Sequence, residues 1–223
     1  MGKAKINLHP WNVTPQEAKA IQADLAAQII KHNEFGEIQT IAGADIALEP
    51  ETNIAYAGVI VYRFFDLKEI ERTEAAAPLQ FPYIPGLLAF REGPILLKAF
   101  AKLQTKPDLV MFDGQGIAHP RRLGIASHLG LWLDLPTIGV AKKVLVGKHQ
   151  EPDLTIGSQT TLTDKQEVIG MCVRSRTKVK PIFVSIGHKI DLPTAVKLTL
   201  SCLDGTRIPK PTREADKFVE QLK

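Results

Sequence analysis

The feature that most constrains this chain is a short apolar run ending on an acid and a glycine-rich loop: Leu109-Val110-Met111-Phe112-Asp113-Gly114-Gln115-Gly116. Pro107 and Asp108 give a turn signal ahead of it, so the run reads as a strand buried on both faces. Asp113 then stands at the strand's carboxyl end, where open α/β sheets place their ligand sites. The two glycines lack a Cβ and let main chain come close to a ligand. His119, Arg121 and Arg122 follow. An acid, bare backbone, an imidazole and two cations suit a phosphate or nucleic-acid site. A glycine-rich connection with a capping Asp and solvated arginines is the plainer account of the same residues.

Elements on either side frame this strand. Residues 1–13 form an irregular lead containing Trp11. Thr14-Pro15-Gln16-Glu17 is a capping box with Pro at the first helical position. The helix it opens is predicted to run to about Lys31, with Ile21, Leu25 and Ile29 on one face and Asn33 and Gly36 ending it. Three extended segments follow, 38–47, 54–65 and 67–77, and their short links predict an antiparallel meander. Residues 78–85 break the pattern with prolines. A helix is expected over 86–104, kinked or restarted at Pro94.

Beyond the central strand, 123–133 reads as a helix and 136–141 as another buried strand. Residues 147–163 look like polar loop. Strands are expected at 168–174 and 181–186, joined by a basic turn with Lys178 and Lys180, and helices at 193–203 and 212–222. No repeat or low-complexity linker divides the chain, so a single domain over 1–223 is expected. The order predicts an α/β protein with a mixed sheet flanked by helices. It matches the order of the ribonuclease H-like fold, although order alone says little about function.

Composition narrows the partners. The formal net charge is +4, compatible with a polyanion without requiring one. The imbalance is sharper beside the glycine loop, where Arg121, Arg122, Lys142, Lys143 and Lys148 face a single acid, Asp134. Cys172 and Cys202 form neither a metal spacing nor a disulfide framework and fit a reducing cytosol. Met1 to Asn7 lacks the apolar core of a signal peptide, and no run approaches membrane-spanning length. A cytoplasmic protein with no membrane partner is expected, with a monomer as the default.

Three acids occupy places where acids are unexpected. Asp45 interrupts the apolar run Ile41-Ala42-Gly43-Ala44, Glu92 lies on a helix otherwise given to packing, and Asp113 ends the central strand. Unpartnered buried carboxylates are costly, and several together repel. A divalent cation relieves both penalties, and hard oxygen donors favour Mg²⁺ or Mn²⁺ over Zn²⁺. Singly, each acid also fits a bland role: a strand-end residue, a surface helix acid, a cap. Jointly, an acid on the first strand, one on the following helix and one on the next strand is the pattern of ribonuclease H-like nucleases, where metals activate water in phosphodiester cleavage.

Longer motifs make the likeness specific. Phe81-Pro82-Tyr83-Ile84-Pro85-Gly86-Leu87-Leu88-Ala89-Phe90-Arg91-Glu92 resembles the signature of endonuclease V, the deoxyinosine 3′-endonuclease. So does the stretch from Asp113 to His128. Ile41 to Asp45, Pro136 to Lys143, Gly187-His188 and Pro209 to Arg213 match as well. The resemblance runs from about residue 10 to 220 and is weakest over 147–166.

The resemblance implies metal ligation by Asp45, Glu92 and Asp113, with His119 and Lys142 as active-site residues near the scissile phosphate. Asp216 falls where family members carry Asp or His near the metal, which makes it a fourth acid candidate. Pro82-Tyr83-Ile84-Pro85 is similar to the family's strand-separating wedge; its alternative is a proline-rich turn with Tyr83 on the surface. Hypoxanthine would be read near Leu88, Gly114, Gly116, Gly124 and Ile125, with Arg121 as a further substrate contact. His188 and His128 are assigned structural roles.

The implied reaction is Mg²⁺-dependent hydrolysis of the second phosphodiester bond 3′ to deoxyinosine, in DNA or in inosine-containing RNA, leaving 3′-hydroxyl and 5′-phosphate ends. The sequence leaves open DNA against RNA, breadth toward uracil, xanthine, abasic sites or mismatches, and Mg²⁺ against Mn²⁺. A different ribonuclease H-like nuclease and a non-catalytic nucleic-acid module are the rival readings. A nucleotide enzyme ranks lower, because Gly114-Gln115-Gly116 lacks the third glycine and lysine spacing of a phosphate loop.

Overall fold

A computed structural model describes residues 7–223; the opening of the lead, over 1–6, lies outside the described residues. The elements, in order, are α1 (Pro15–Ala26), β1 (Thr40–Glu49), β2 (Ile54–Arg63), β3 (Lys68–Pro78), α2 (Leu88–Phe100), β4 (Leu109–Asp113), α3 (Ile125–Leu133), β5 (Thr137–Ala141), β6 (Gln159–Asp164), β7 (Glu167–Val173), β8 (Ile182–His188), α4 (Leu192–Ser201) and α5 (Lys210–Glu220). The strands form one eight-stranded mixed sheet in the order β3-β2-β1-β4-β5-β8-β7-β6. The predicted meander is there, with β1 to β3 antiparallel. β1, β4 and β5 run parallel at the centre, and β8, β7 and β6 complete the sheet antiparallel.

Alternation along the strands divides the core into two layers. Ile41, Ile60, Leu109 and Met111 pack with Leu198 of α4 and Phe218 of α5. Their neighbours Ala42, Val59, Val110 and Phe112 pack with Ile95 and Leu96 of α2 and Ile125 and Leu129 of α3. Asp45 continues the parity of Ile41 and Gly43, and Asp113 that of Leu109 and Met111. Both acids therefore share the face that α5 covers.

Several boundaries differ from the sequence reading for identifiable reasons. Helix α1 opens on the expected capping box, with Thr14 and Glu17 bonding reciprocally, but ends at Ala26 instead of Lys31. The next turn is taken up by the strand layer, because Ile30 N–H donates to His188 Nδ1 and Ile30 C=O accepts from Lys189. Helix α2 neither breaks nor restarts at Pro94. An interior proline costs about 3 kcal/mol. Phe90, Ile95, Leu96 and Phe100 are all buried on either side of it, at roughly 1.5–3 kcal/mol each, so packing carries the helix through. The polar segment assigned to loop contains most of β6, a half-exposed edge strand whose only fully buried residue is Leu162.

Candidate active site

The sheet register builds the acidic cluster. In the parallel pairing of β1 with β4, Ala44 lies opposite Phe112, so the next residues, Asp45 midway along β1 and Asp113 at the carboxyl end of β4, emerge side by side where that pairing ends. Helix α5 supplies the third acid. Its first turn sits on Gly43, where a Cβ would come within 1.9 Å of the Pro211 carbonyl oxygen, and its later turns lie over Gly58, where a Cβ would meet Phe218 and Val219 at 2.7 Å. Those two bare strand positions let the helix approach closely enough to bring Asp216 to Asp45 and Asp113. Carboxylate oxygens of Asp45, Asp113 and Asp216 lie within 4.8 Å of one another.

Electrostatics describe a cluster short of positive charge. Burial and the Asp113 charge push Asp45 up to about 8. Burial, with a contribution from Asp45, does the same for Glu92, also about 8. Burial raises Asp113 too, against the opposing pull of Lys142. Lys142 Nζ lies 2.5 Å from Asp113 and 3.2 Å from Asp216. Burial disfavours its charge, but Asp113 and Asp216 override that and hold the ammonium protonated. Arg207 fixes the backbone of Lys142 by donating to its carbonyl at 2.9 Å.

The donor set suits a hard divalent cation. Every donor is a carboxylate oxygen, the groups are partly buried, and their mutual repulsion is the condition a cation removes. Asp216, the fourth acid candidate of the sequence reading, joins the tight group. Two other residues stand apart from it. Glu92 on α2 lies outside the group and is coupled to Asp45 and Asp113 through its charge. His119 is a buried neutral imidazole, lowered to about 4 by burial. Its Nδ1 accepts from the Arg121 N–H, so Nε2 is the nitrogen that donates to the Gly86 carbonyl. Both nitrogens are thus engaged in holding loops.

Next to the glycine loop lies a cavity of about 250 Å³, lined among others by Tyr83, Leu88, Gly114, Gly124, Ile125 and Leu145. Leu88, Gly114, Gly124 and Ile125 were expected there. Gly116 is spent elsewhere: its N–H donates to Ser185 Oγ at 2.8 Å, its C=O accepts from Gly124, and its Cα faces the Ile186 carbonyl of β8. Arg121 turns its guanidinium to Gly86 and Gln22. Tyr83 is 69% exposed beside the cavity mouth, while Pro82 borders a different groove, with Trp11 and Phe81.

Three residues outside the sequence reading belong to this region. Gln115 ties the glycine loop to the segment carrying Lys142, its Nε2 donating to Lys143 O at 2.9 Å. Arg207 holds Lys142. Gln22 is buried on α1 and reaches Gly86 and Leu123. Only Gln22 left a sequence signal, a polar residue at helical spacing between Ala18, Leu25 and Ile29.

Comparison with known proteins agrees over nearly the full length. The family model for Endonuclease V matches residues 23–217. An endonuclease V from Nostoc sp. is 52% identical over 211 residues, covering 94% of this chain and 96% of that protein. The crystal structure of endonuclease V from Streptomyces avermitilis superposes with a TM-score of 0.90 at 38% identity, covering 95% of this chain and 94% of the other. A variant of the Ciona intestinalis endonuclease V, solved with a 23mer DNA containing an inosine followed by a ribo-adenosine, gives a TM-score of 0.82 at 29% identity over 94% of this chain and 98% of that one. With its acidic cluster and adjoining cavity placed on a fold shared along almost its whole length, this chain belongs to the endonuclease V family.

Proposed function

We propose that this chain is a divalent-metal-dependent endonuclease that recognises deaminated adenine in DNA and hydrolyses the second phosphodiester bond on its 3′ side, leaving 3′-hydroxyl and 5′-phosphate ends. The observation that carries this reading is the convergence of Asp45, Asp113 and Asp216 within 4.8 Å, beside a cavity walled by glycine backbone and apolar side chains. Family membership supplies the reaction class, and the inosine-containing DNA held by the Ciona relative supports the base.

Asp45, Asp113 and Asp216 would hold the cation, with Glu92 completing the negative field from α2. A bound Mg²⁺, with Mn²⁺ as a substitute, supplies Lewis-acid charge that activates water and steadies the leaving oxygen. The chain's own part is placement. Lys142 brings a fixed ammonium to the edge of the acidic cluster, where a phosphate oxygen is attracted to it. Glycine main chain at Gly114 and Gly124, with Leu88 and Ile125, gives a flat slot for a base that has left the stack. Tyr83, exposed between prolines, fills the space such a base vacates.

A nicking assay on matched oligonucleotides, with adenine or inosine at one position, tests the reading. The expected result is a single cut immediately 3′ of the nucleotide that follows inosine, in Mg²⁺ or Mn²⁺ and not in chelator. Equal cutting of the adenine strand, or cutting in chelator, rejects it. Because the Ciona relative holds an inosine followed by a ribo-adenosine, inosine in RNA is a second substrate reading, and an RNA arm of the same assay decides it. Tyr83→Ala should leave thermal stability within about 0.5 kcal/mol, as for exposed positions generally, while slowing cleavage of fully paired duplex. Unchanged duplex cleavage removes Tyr83 from the wedge. The protein is proposed to act as a cytoplasmic monomer; among the described residues no helix is long and apolar enough to cross a membrane.

A further inference from the structure

Directly behind the Pro82–Pro85 turn, three side chains converge on one main-chain oxygen. The Gly86 carbonyl accepts from Gln22 Nε2 at 3.0 Å, His119 Nε2 at 2.9 Å and Arg121 Nη2 at 2.8 Å. The donors come from α1 and from the loop after β4. They are also bonded to each other: Arg121 Nε donates to Gln22 Oε1 at 2.6 Å, and the Arg121 N–H to His119 Nδ1 at 3.1 Å. Gln22 closes the knot by donating its second amide hydrogen to Leu123 O at 3.0 Å. It is 1% exposed, and every polar atom of its amide is used. Gly86 itself has φ +80°, and a Cβ there would meet Arg121 Nη2 at 3.0 Å and His119 Nε2 at 3.3 Å.

A carbonyl oxygen has two lone pairs, so three donors exceed what satisfying it requires. What the excess supplies is direction, since the oxygen is held from three sides and the peptide cannot swing. That matters for the segment just ahead of it, whose Tyr83 is exposed and whose task under the proposed function is to displace stacked bases. Unstacking costs a few kcal/mol per step, and a wedge on a yielding loop would move in place of the bases.

We propose that Gln22 is a positioning residue that, with His119 and Arg121, braces the Pro82–Pro85 turn against the Gly86 carbonyl for opening duplex DNA. The inference rests on the wedge reading and adds what holds the wedge rigid. It also gives His119 and Arg121 a bracing role, consistent with a neutral imidazole whose two nitrogens are both engaged.

The test compares inosine in a fully paired duplex with inosine in a pre-opened bubble of the same sequence. Gln22 also forms part of the cavity wall, so the readout is the ratio of the two rates. Gln22→Met keeps the volume and loses all the amide bonds. Gln22→Glu keeps the acceptor for Arg121 and sets a carboxylate against the Gly86 and Leu123 carbonyls. Both are expected to lower the duplex-to-bubble ratio about tenfold, the factor given by one net buried hydrogen bond of ~1.4 kcal/mol. A loss shared equally by both substrates, or a wild-type ratio in either variant, overturns the bracing role. Should Gln22→Met fail to fold, Arg121→Lys, which removes the planar fork from the same knot, is read by the same ratio. A wild-type protein that nicks neither inosine substrate sinks the nuclease reading, and a Tyr83→Ala protein with the wild-type ratio sinks the wedge reading, which separates those failures from that of the brace.

Discussion

Asp45→Asn is expected to remove cation-dependent nicking and, in the absence of metal, to make the protein more stable at alkaline pH. The loss of activity should reach on the order of 10²–10³, as when other transition-state charge stabilisers are removed. The gain in stability follows from linkage. Asp45 is pushed up to about 8 in the folded chain from an ordinary 3.8. Its raised value means that the protonated form contributes stability fully below about pH 4, and that this contribution is lost as pH rises through 8.

Asparagine never ionises, and its Oδ1 can still accept from the Ile46 N–H, now at 2.8 Å. Full conversion of a shift of this size at 1.36 kcal/mol per unit would exceed what a partly solvated carboxyl delivers. About 2 kcal/mol, or roughly 5 °C for a chain of this length, is the expected increase at pH 8.5 in chelator, with no difference at pH 4. Saturating Mn²⁺ should reverse the order, since a ligand at 100 times its Kd stabilises the wild type by about 2.7 kcal/mol. Thermal melts at two pH values, with and without metal, check all four arms. A variant less stable than wild type at pH 8.5 in chelator sinks the account of the cluster as a cost relieved by cations.

The acids on strands were legible because an aspartate is conspicuous in an apolar run. Asp45 could be placed in the first strand and Asp113 at the end of the central one from neighbours alone, and they do meet. Their meeting depends on a parallel register between strands separated by a hairpin and a helix, and nothing local encodes that. Asp216 entered by resemblance only. Its position depends on α5 settling onto Gly43 and Gly58, and a bare glycine in a strand does not announce which helix will use it. Glu92 was legible as an unexpected acid, but a helix residue's reach depends on how that helix tilts, and its carboxyl ends outside the tight group.

Other elements were obscured by the reverse effect, tertiary packing overriding a clear local signal. Pro94 predicted a kink or a restart, and buried neighbours on both sides carry α2 through it as one helix. Gln22 has no role in the sequence reading, yet it lies on the buried face of α1 with a full set of partners. Gly116 looked like backbone offered to a ligand, but β8 takes both its N–H and the space at its Cα. Its partner Ser185 lies far along the chain, so a reading confined to the loop could not see it.

Gly43→Ala is expected to weaken cation binding from a site it does not touch. A Cβ at residue 43 would sit 1.9 Å from the Pro211 oxygen and 2.2 Å from its carbonyl carbon. Backbone cannot rotate out of the way as a side chain can, so α5 must lift off β1. Overpacking of this kind costs about 1–3 kcal/mol, which corresponds to a fall of roughly 2–12 °C in melting temperature. Asp216 rides on the same helix one turn further on, and its departure should lower Mn²⁺ affinity by roughly 10–100-fold, the loss seen when groups that orient metal ligands are removed. Gly36→Ala, where nothing lies within 4 Å of the new Cβ, is the control and should change neither quantity. Coupling identifies the route. If the affinity loss passes through Asp216, then Gly43→Ala combined with Asp216→Ala binds Mn²⁺ no worse than Asp216→Ala alone, a non-additive pair. Additive losses would mean that the displaced helix disturbs Asp45 directly, and a Gly43→Ala protein with wild-type melting and Mn²⁺ affinity would show that α5 does not depend on that glycine.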